Sequence, residues 1–155
     1  MRNNSSNSNR SRFRSGEFVP LHPEKYKGSK PIYYRSSYEL EFMRYMDKDP
    51  NVIQWGSESN VVMYRSPVDG RMHRYFIDNY AVYKFKDKLF KFIIEIKPYN
   101  KLLKPKATQG KKKTTLIQEE AEHSINMAKW QAAKEWAKQK GYIFRILTEK
   151  EIFGK

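Results

Sequence analysis

An α/β fold with a mixed β-sheet flanked by helices is what the sequence predicts, on three observations. Aromatic and β-branched segments fill residues 51–97, a helical pattern precedes them, and a longer helical pattern followed by one more apolar segment, "YIFRIL", comes after. Strands joined by short turns pair antiparallel, so residues 51–97 are expected to form an antiparallel meander. A strand reached through a helical crossover pairs parallel, so the sheet is mixed and helices cover its faces.

Residues 1–16, "MRNNSSNSNRSRFRSG", hold four arginines and no acid among Ser and Asn, and such a segment cannot bury enough apolar surface to offset its ordering entropy. They are expected to be a disordered basic tail, with one domain over 17–155. The segment "EFVPLHPEKYKGSKPIYY" reads as an irregular lead-in that packs on the body. In "SSYELEFMRYMDKDP", Ser36 and Glu39 have the spacing of a capping box, and Leu40, Met43 and Tyr45 or Met46 recur at helical intervals. Pro50 marks the end of that helix. "NVIQW" is a short strand, and "NVVMYRSPVDGRMHRYFID" is two strands about a turn in which Pro67 presets φ and Asp69–Gly70 favours reversal. "YAVYKF" and "LFKFIIEIK" follow, separated by the polar "KDK".

From Pro98 to Thr115 the chain holds six lysines and no acid, which predicts a long, mobile, cationic loop. The longest helix is expected over "LIQEEAEHSINMAKWQAAKEWAKQKG", with Ile117, Ala121, Ile125, Ala128 and Ala132 on its packing face. Glu119, Glu120 and Glu122 suit its positive end and Gly141 its C-cap. "YIFRIL" reads as a buried strand, and "TEKE" offers a capping box for a short terminal helix.

Lys and Arg number 31 against 17 Asp and Glu, a formal net charge of +14 in 155 residues. A surface so basic attracts polyanions, with nucleic acid the default partner. No apolar run is long enough for a membrane span, and the N-terminus lacks the apolar core of a signal peptide. The absence of Cys excludes disulfides, thiol nucleophiles and Cys-based zinc sites, and His22, His73 and His123 lack ligand spacing. Any metal must therefore be held by oxygen.

Alternation places Phe92, Ile94 and Ile96 on one face of their strand and Glu95 and Lys97 on the other. Asp78 ends an earlier strand, so a hairpin would bring the three charged groups to one sheet edge. Two carboxylates there suit Mg²⁺, and a lysine beside them suits an attacking water or a developing phosphate charge. The competing reading is a solvated, charged strand face, with Asp78 in a turn with Asn79.

Asp78 followed by "EIK" on the next strand, with Glu39 on the preceding helix, resembles the PD-(D/E)xK, restriction-endonuclease-like nucleases. The longer pattern "YRSSYELEFM", "SPVDGRMHRYFID", "EIKP", "AKWQAAKEWA" and "GYIFRILTEKE" is similar to the T4-type phage head completion nucleases, and more distantly to the endonuclease subunit of Tn7-type transposition. The resemblance covers Lys25 to Phe153. It implies a restriction-endonuclease-like sheet and cleavage of double-stranded DNA with Mg²⁺, or Mn²⁺ in its place, without a small-molecule cofactor. It further implies phage portal and neck proteins as partners, and location in the virion head or neck and in the host cytoplasm during assembly. Carried over by residue, Asp78 and Glu95 are metal ligands, Lys97 is the catalytic lysine, and Glu39 is the acid of the first helix. Glu39 is also open to a purely structural role as the capping partner of Ser36. The superfamily proline before the aspartate is Ile77 here, at a position that supplies backbone shape rather than a ligand.

Candidate DNA contacts are Arg10, Arg12 and Arg14 of the tail, Arg74 shortly before Asp78, the Lys111, Lys112 and Lys113 run, and Lys129 on the long helix. For Arg74, the lysine run and Lys129 the plainer reading is a solvated charge. A rival function from another class is a non-enzymatic neck or connector component that retains the fold and holds DNA by charge.

Overall fold

The structure, a computed structural model, describes residues 15–154. Arg10, Arg12 and Arg14 lie outside the described residues. In chain order the elements are β1 (Gly16–Phe18), β2 (Ile32–Tyr34), α1 (Ser37–Lys48), β3 (Val52–Ser57), β4 (Val61–Arg65) and β5 (Met72–Phe76). These are followed by β6 (Asn79–Phe85), β7 (Lys88–Ile96), α2 (Lys113–Lys140), β8 (Ile143–Leu147) and α3 (Glu149–Ile152). The main sheet has the order β3-β6-β7-β8, antiparallel except for the parallel β7–β8 pair reached through α2. The expected mixed sheet is present, and helices cover both of its faces.

The expected meander is not. β4 and β5 pair only with each other, so β3 closes directly on β6. The cause is one-sided burial. The inward face of this ribbon carries Val62, Tyr64 and Tyr75, which pack with Trp130, Ala133 and Ala137 of α2, while Met63, Met72 and Phe76 on the other face are about half exposed. A ribbon with one apolar face is satisfied by a helix and needs no place in the sheet. Its reversal uses Gly70 at φ +69, as the Asp69–Gly70 pair predicts. The β6–β7 hairpin turns on Lys86 and Asp87, both at positive φ, the two-residue geometry whose twist matches the strands.

Two apolar clusters flank the sheet. One joins Met43 and Met46 of α1 to Trp55, Ala81, Ile94 and Ile96, together with Phe18, Tyr26 and Ile32. The other joins Ile93, Ile77 and Tyr80 to α2 and the ribbon. The C-terminal half of β7, Ile93 to Ile96, is therefore buried on both sides, and no solvated strand face exists at Glu95. The lead-in is more ordered than expected, with β1 and β2 paired, and the buried Asp47 side chain accepts hydrogen bonds from the Leu21 and His22 amides at 2.8 and 2.9 Å.

Three local expectations change. Helix α2 starts at Lys113, so the three glutamates fall beyond its first turn. Its buried residues are Asn126, Trp130, Ala133 and Ala137; of the expected face Ile125, Ala128 and Ala132 pack half-buried against the same cluster, while Ile117 is 64% exposed. The first turns of α2 run beside the loop that precedes them rather than over the sheet, as the Lys111–Glu119 and Lys101–Glu122 ion pairs show. Strand β8 is half-buried rather than buried, because it is the sheet's edge. Two of the three helix starts, those of α1 and α3, have side-chain caps, Ser36 accepting from the Glu39 amide and Thr148 forming a full capping box with Glu151. At α1 the box is only half made, since the Glu39 carboxylate reaches one residue further, to the Arg35 amide at 2.6 Å.

Candidate active site

The β6–β7 hairpin assembles the site. Its register pairs Asn79 with Ile94, which puts the preceding Asp78 level with Glu95. Asp78 Oδ2 accepts the Ile96 amide at 2.9 Å, and the Asp78 carbonyl accepts the Glu58 amide at 2.9 Å, so the aspartate is tied to both neighbouring segments. Glu95 is 5% exposed. Its Oε2 accepts the Tyr75 hydroxyl at 2.7 Å, and its Oε1 lies 3.7 Å from Lys97 Nζ. The Lys97 backbone is anchored from the far side, its amide donating to the Leu147 carbonyl at 3.0 Å.

Burying two carboxylates side by side disfavours their charge. Desolvation first, and then the Glu95 charge, push the Asp78 carboxyl up to about 7. Desolvation also raises Glu95, against the lowering influences of Tyr75, Lys97 and Lys129. Glu39 points to the same region from α1. Its carboxyl is likewise pushed up to about 7, mainly by burial and in part by Asp78, with the Arg35 amide opposing. Asp78, Glu95 and Lys97 are thus brought together from the β5–β6 junction and the end of β7, and Glu39 on α1 lies close enough for the Asp78 charge to act on it.

The cationic candidates separate. Lys129 sits beside Glu95, its Nζ 5.4 Å from the centre of the Tyr75 ring and 5.7 Å from that of Tyr64. An ammonium near two ring faces is attracted by both and held in place, and its charge favours the ionised form of Glu95. Arg74 is exposed on the face of β5 opposite Tyr75, turned away from the carboxylates. Lys111 donates to Glu119 at 2.9 Å and to the Lys106 carbonyl at 2.7 Å, so it is engaged within the fold, whereas Lys112 and Lys113 are exposed.

Sequence reasoning missed two participants. Tyr75 binds Glu95, and strand alternation could have placed it inward but not opposite that residue. Glu58, paired with Arg35 and bonded through its amide to Asp78, comes from the β3–β4 turn and carried no pattern.

Among the described residues no group of three or more His, Asp or Glu side chains is arranged to hold a metal ion. The Asp78–Glu95 pair nevertheless fits Mg²⁺. It is all oxygen and shielded, and burial raises both carboxyls, with the Glu95 charge adding to it at Asp78, a cost that a divalent cation would offset. Mg²⁺ typically takes only one or two carboxylates and keeps several waters.

This is a centre suited to cutting phosphodiesters, and comparison with known proteins points to the same class. Residues 49–149 match the TnsA-like endonuclease N-terminal family, and the chain belongs to that family of nucleases. It is also 38% identical over 139 residues to the head completion nuclease of Enterobacteria phage T4, an alignment covering 87% of this chain and 91% of that protein. Among the described residues no helix is long and apolar enough to cross a membrane.

Proposed function

We propose that this chain is a Mg²⁺-dependent endonuclease of double-stranded DNA that acts in phage head completion, trimming the end of packaged DNA before neck and tail attach. The observation that carries the reading is the register of β6 against β7, which sets Asp78 beside Glu95 with Lys97 Nζ 3.7 Å from that glutamate. Asp78 and Glu95 would hold the cation. When bound, the ion supplies neutralising charge and a water of lowered pKa. The remaining steps belong to side chains. Tyr75 holds Oε2 of Glu95 and leaves Oε1 toward Lys97. Lys97, with 30% of its side chain exposed, can reach the attacking water or the phosphate oxygens. Glu39 adjoins them with a carboxyl near 7, able to exchange a proton at the oxygen that the Arg35 amide leaves free.

The basic surface would grip phosphates without reading bases, through the tail arginines 10, 12 and 14, Arg74, Lys112 and Lys113. A nuclease without sequence preference must be confined by placement, which supports portal or neck proteins as partners and residence in the virion head or neck, after assembly in the host cytoplasm. Supercoiled plasmid incubated with purified protein tests the reading. Nicking or linearisation with Mg²⁺ that stops with EDTA is expected. Intact plasmid under both conditions, with DNA still bound, would instead favour a neck component that keeps the fold and only holds DNA.

A further inference from the structure

Away from the carboxylates lies a cleft of about 610 Å³ between the loop after β7 and the first half of α2. That volume falls in the range that holds small organic ligands. Lysines 101, 104, 106 and 111 stand around it, and His123 and Asn126 line it from the helix. Asn126 is only 5% exposed, so its amide meets the cleft from inside the fold. Such an amide can donate to a phosphate or base oxygen and accept from a base amine. Leu103 and Pro105 add apolar surface against which a base can lie.

Two of the lysines are placed by acids. Lys101 pairs with Glu122 at 3.5 Å, and Lys111 with Glu119 at 2.9 Å. Lys104 and Lys106 are exposed and make no ion pair among the described residues. The cleft therefore keeps a net positive charge that its own acids do not cancel.

Its position relative to the site is fixed by two shared elements. Lys101 follows Lys97 by four residues, and Asn126 precedes Lys129 by three on the same face of α2. Three residues of helix are about 5 Å of rise, so the cleft opens roughly one turn along α2 from Lys129, whose charge acts on Glu95.

We propose that this cleft is a nucleotide subsite, taking a deoxynucleotide of the strand that flanks the cleaved bond. Lys104 and Lys106 would hold its phosphate, and Asn126 its base or sugar edge. The proposal rests on the nuclease reading for its biological sense, but binding can be measured without cleavage.

The test uses full-length protein in EDTA. Thymidine 5′-monophosphate is titrated while the Asn126 side-chain amide is followed by NMR, and short single strands with a 5′-phosphate or a 5′-hydroxyl are compared by anisotropy. The Asn126 resonance should shift and saturate. K104E/K106E should weaken binding of the phosphorylated strand by about ten-fold or more, whereas K138E/K140E, an equal charge change at the far end of α2, should cost about three-fold or less. A 5′-phosphate that adds affinity in the parent and not in K104E/K106E marks the subsite as one for strand ends. Equal affinity for the two strands marks an internal nucleotide. Equal losses in the two double variants, or an unmoved Asn126 amide, would overturn the subsite while leaving plasmid cleavage to be judged separately. Loss of plasmid cleavage alone would sink the nuclease and spare the subsite.

Discussion

Replacing Asp78 with asparagine should stabilise the metal-free protein above neutral pH and abolish its response to Mg²⁺. Burial and Glu95 push the Asp78 carboxyl up to about 7. An aspartate in an unfolded chain titrates near 3.9, and each unit of difference is about 1.36 kcal/mol, so ionising Asp78 in the fold costs at most about 4 kcal/mol. Below about pH 4 both states hold the proton and no cost arises. Between about pH 4 and 7 the unfolded chain has released its proton and the folded chain has not, so stability falls through that window and stays low above it. Asparagine carries no charge, and its Oδ1 can still accept the Ile96 amide that Asp78 accepts at 2.9 Å. Because Glu95 relaxes when its neighbour is neutralised, about half the cost should be recovered, roughly 2 kcal/mol. For a chain of this size that raises Tm by about 4–8 °C. Thermal unfolding in EDTA at pH 5 and pH 8.5 measures it, with a smaller gain at pH 5. Added Mg²⁺ should then raise the Tm of the parent and leave the variant unmoved, since binding to the folded state alone stabilises by mass action. A variant less stable than the parent at pH 8.5 in EDTA would refute the argument, because the carboxylate would then be supporting the fold.

Three further outcomes follow from the same geometry. Lys97→Ala should lower cleavage about a hundred-fold or more, with DNA binding only modestly weaker and Tm in EDTA somewhat lower above neutral pH because Lys97 offsets the charge of both carboxylates, and a variant that cuts like the parent would return Lys97 to the role of an ordinary surface charge. Tyr75→Phe keeps the ring but frees Glu95 Oε2, so half-maximal cleavage should need about ten-fold more Mg²⁺ or Mn²⁺ while DNA affinity in EDTA is unchanged; an unaltered metal requirement would remove Tyr75 from the site. Deleting residues 1–14, with arginines 2, 10, 12 and 14, should flatten the slope of log affinity against log salt by up to about 0.9 for each phosphate that is no longer neutralised, and equal slopes would show that these arginines do not touch DNA.

What could be read from the sequence was whatever depends on residues close in the chain. Asp78, Glu95 and Lys97 were legible because a short hairpin converts their separation into adjacency, and Ser36, Thr148 and Gly141 because caps are local. Contacts made across the fold were not. The β4–β5 ribbon left the sheet because Tyr64 and Tyr75 found α2, some 55 to 70 residues downstream. Lys111 reads as a free charge until Glu119 is folded beside it. The stripe through Ile117 and Ala121 is periodic, yet periodicity does not say where a helix stops overlying its sheet.

The parallel pairing of β8 with β7 bears on the order in which the machinery is assembled. Asp78 and Glu95 are joined through one hairpin, a contact of short span that forms early in a folding chain. The Lys97 amide is fixed only by the Leu147 carbonyl, fifty positions on, after α2 has crossed over and delivered the edge strand. A chain caught between these events would carry its pair of acids and an unanchored lysine. On the proposed reading, such a chain would hold its cation before it could cut, and competence would wait on the docking of the last strand.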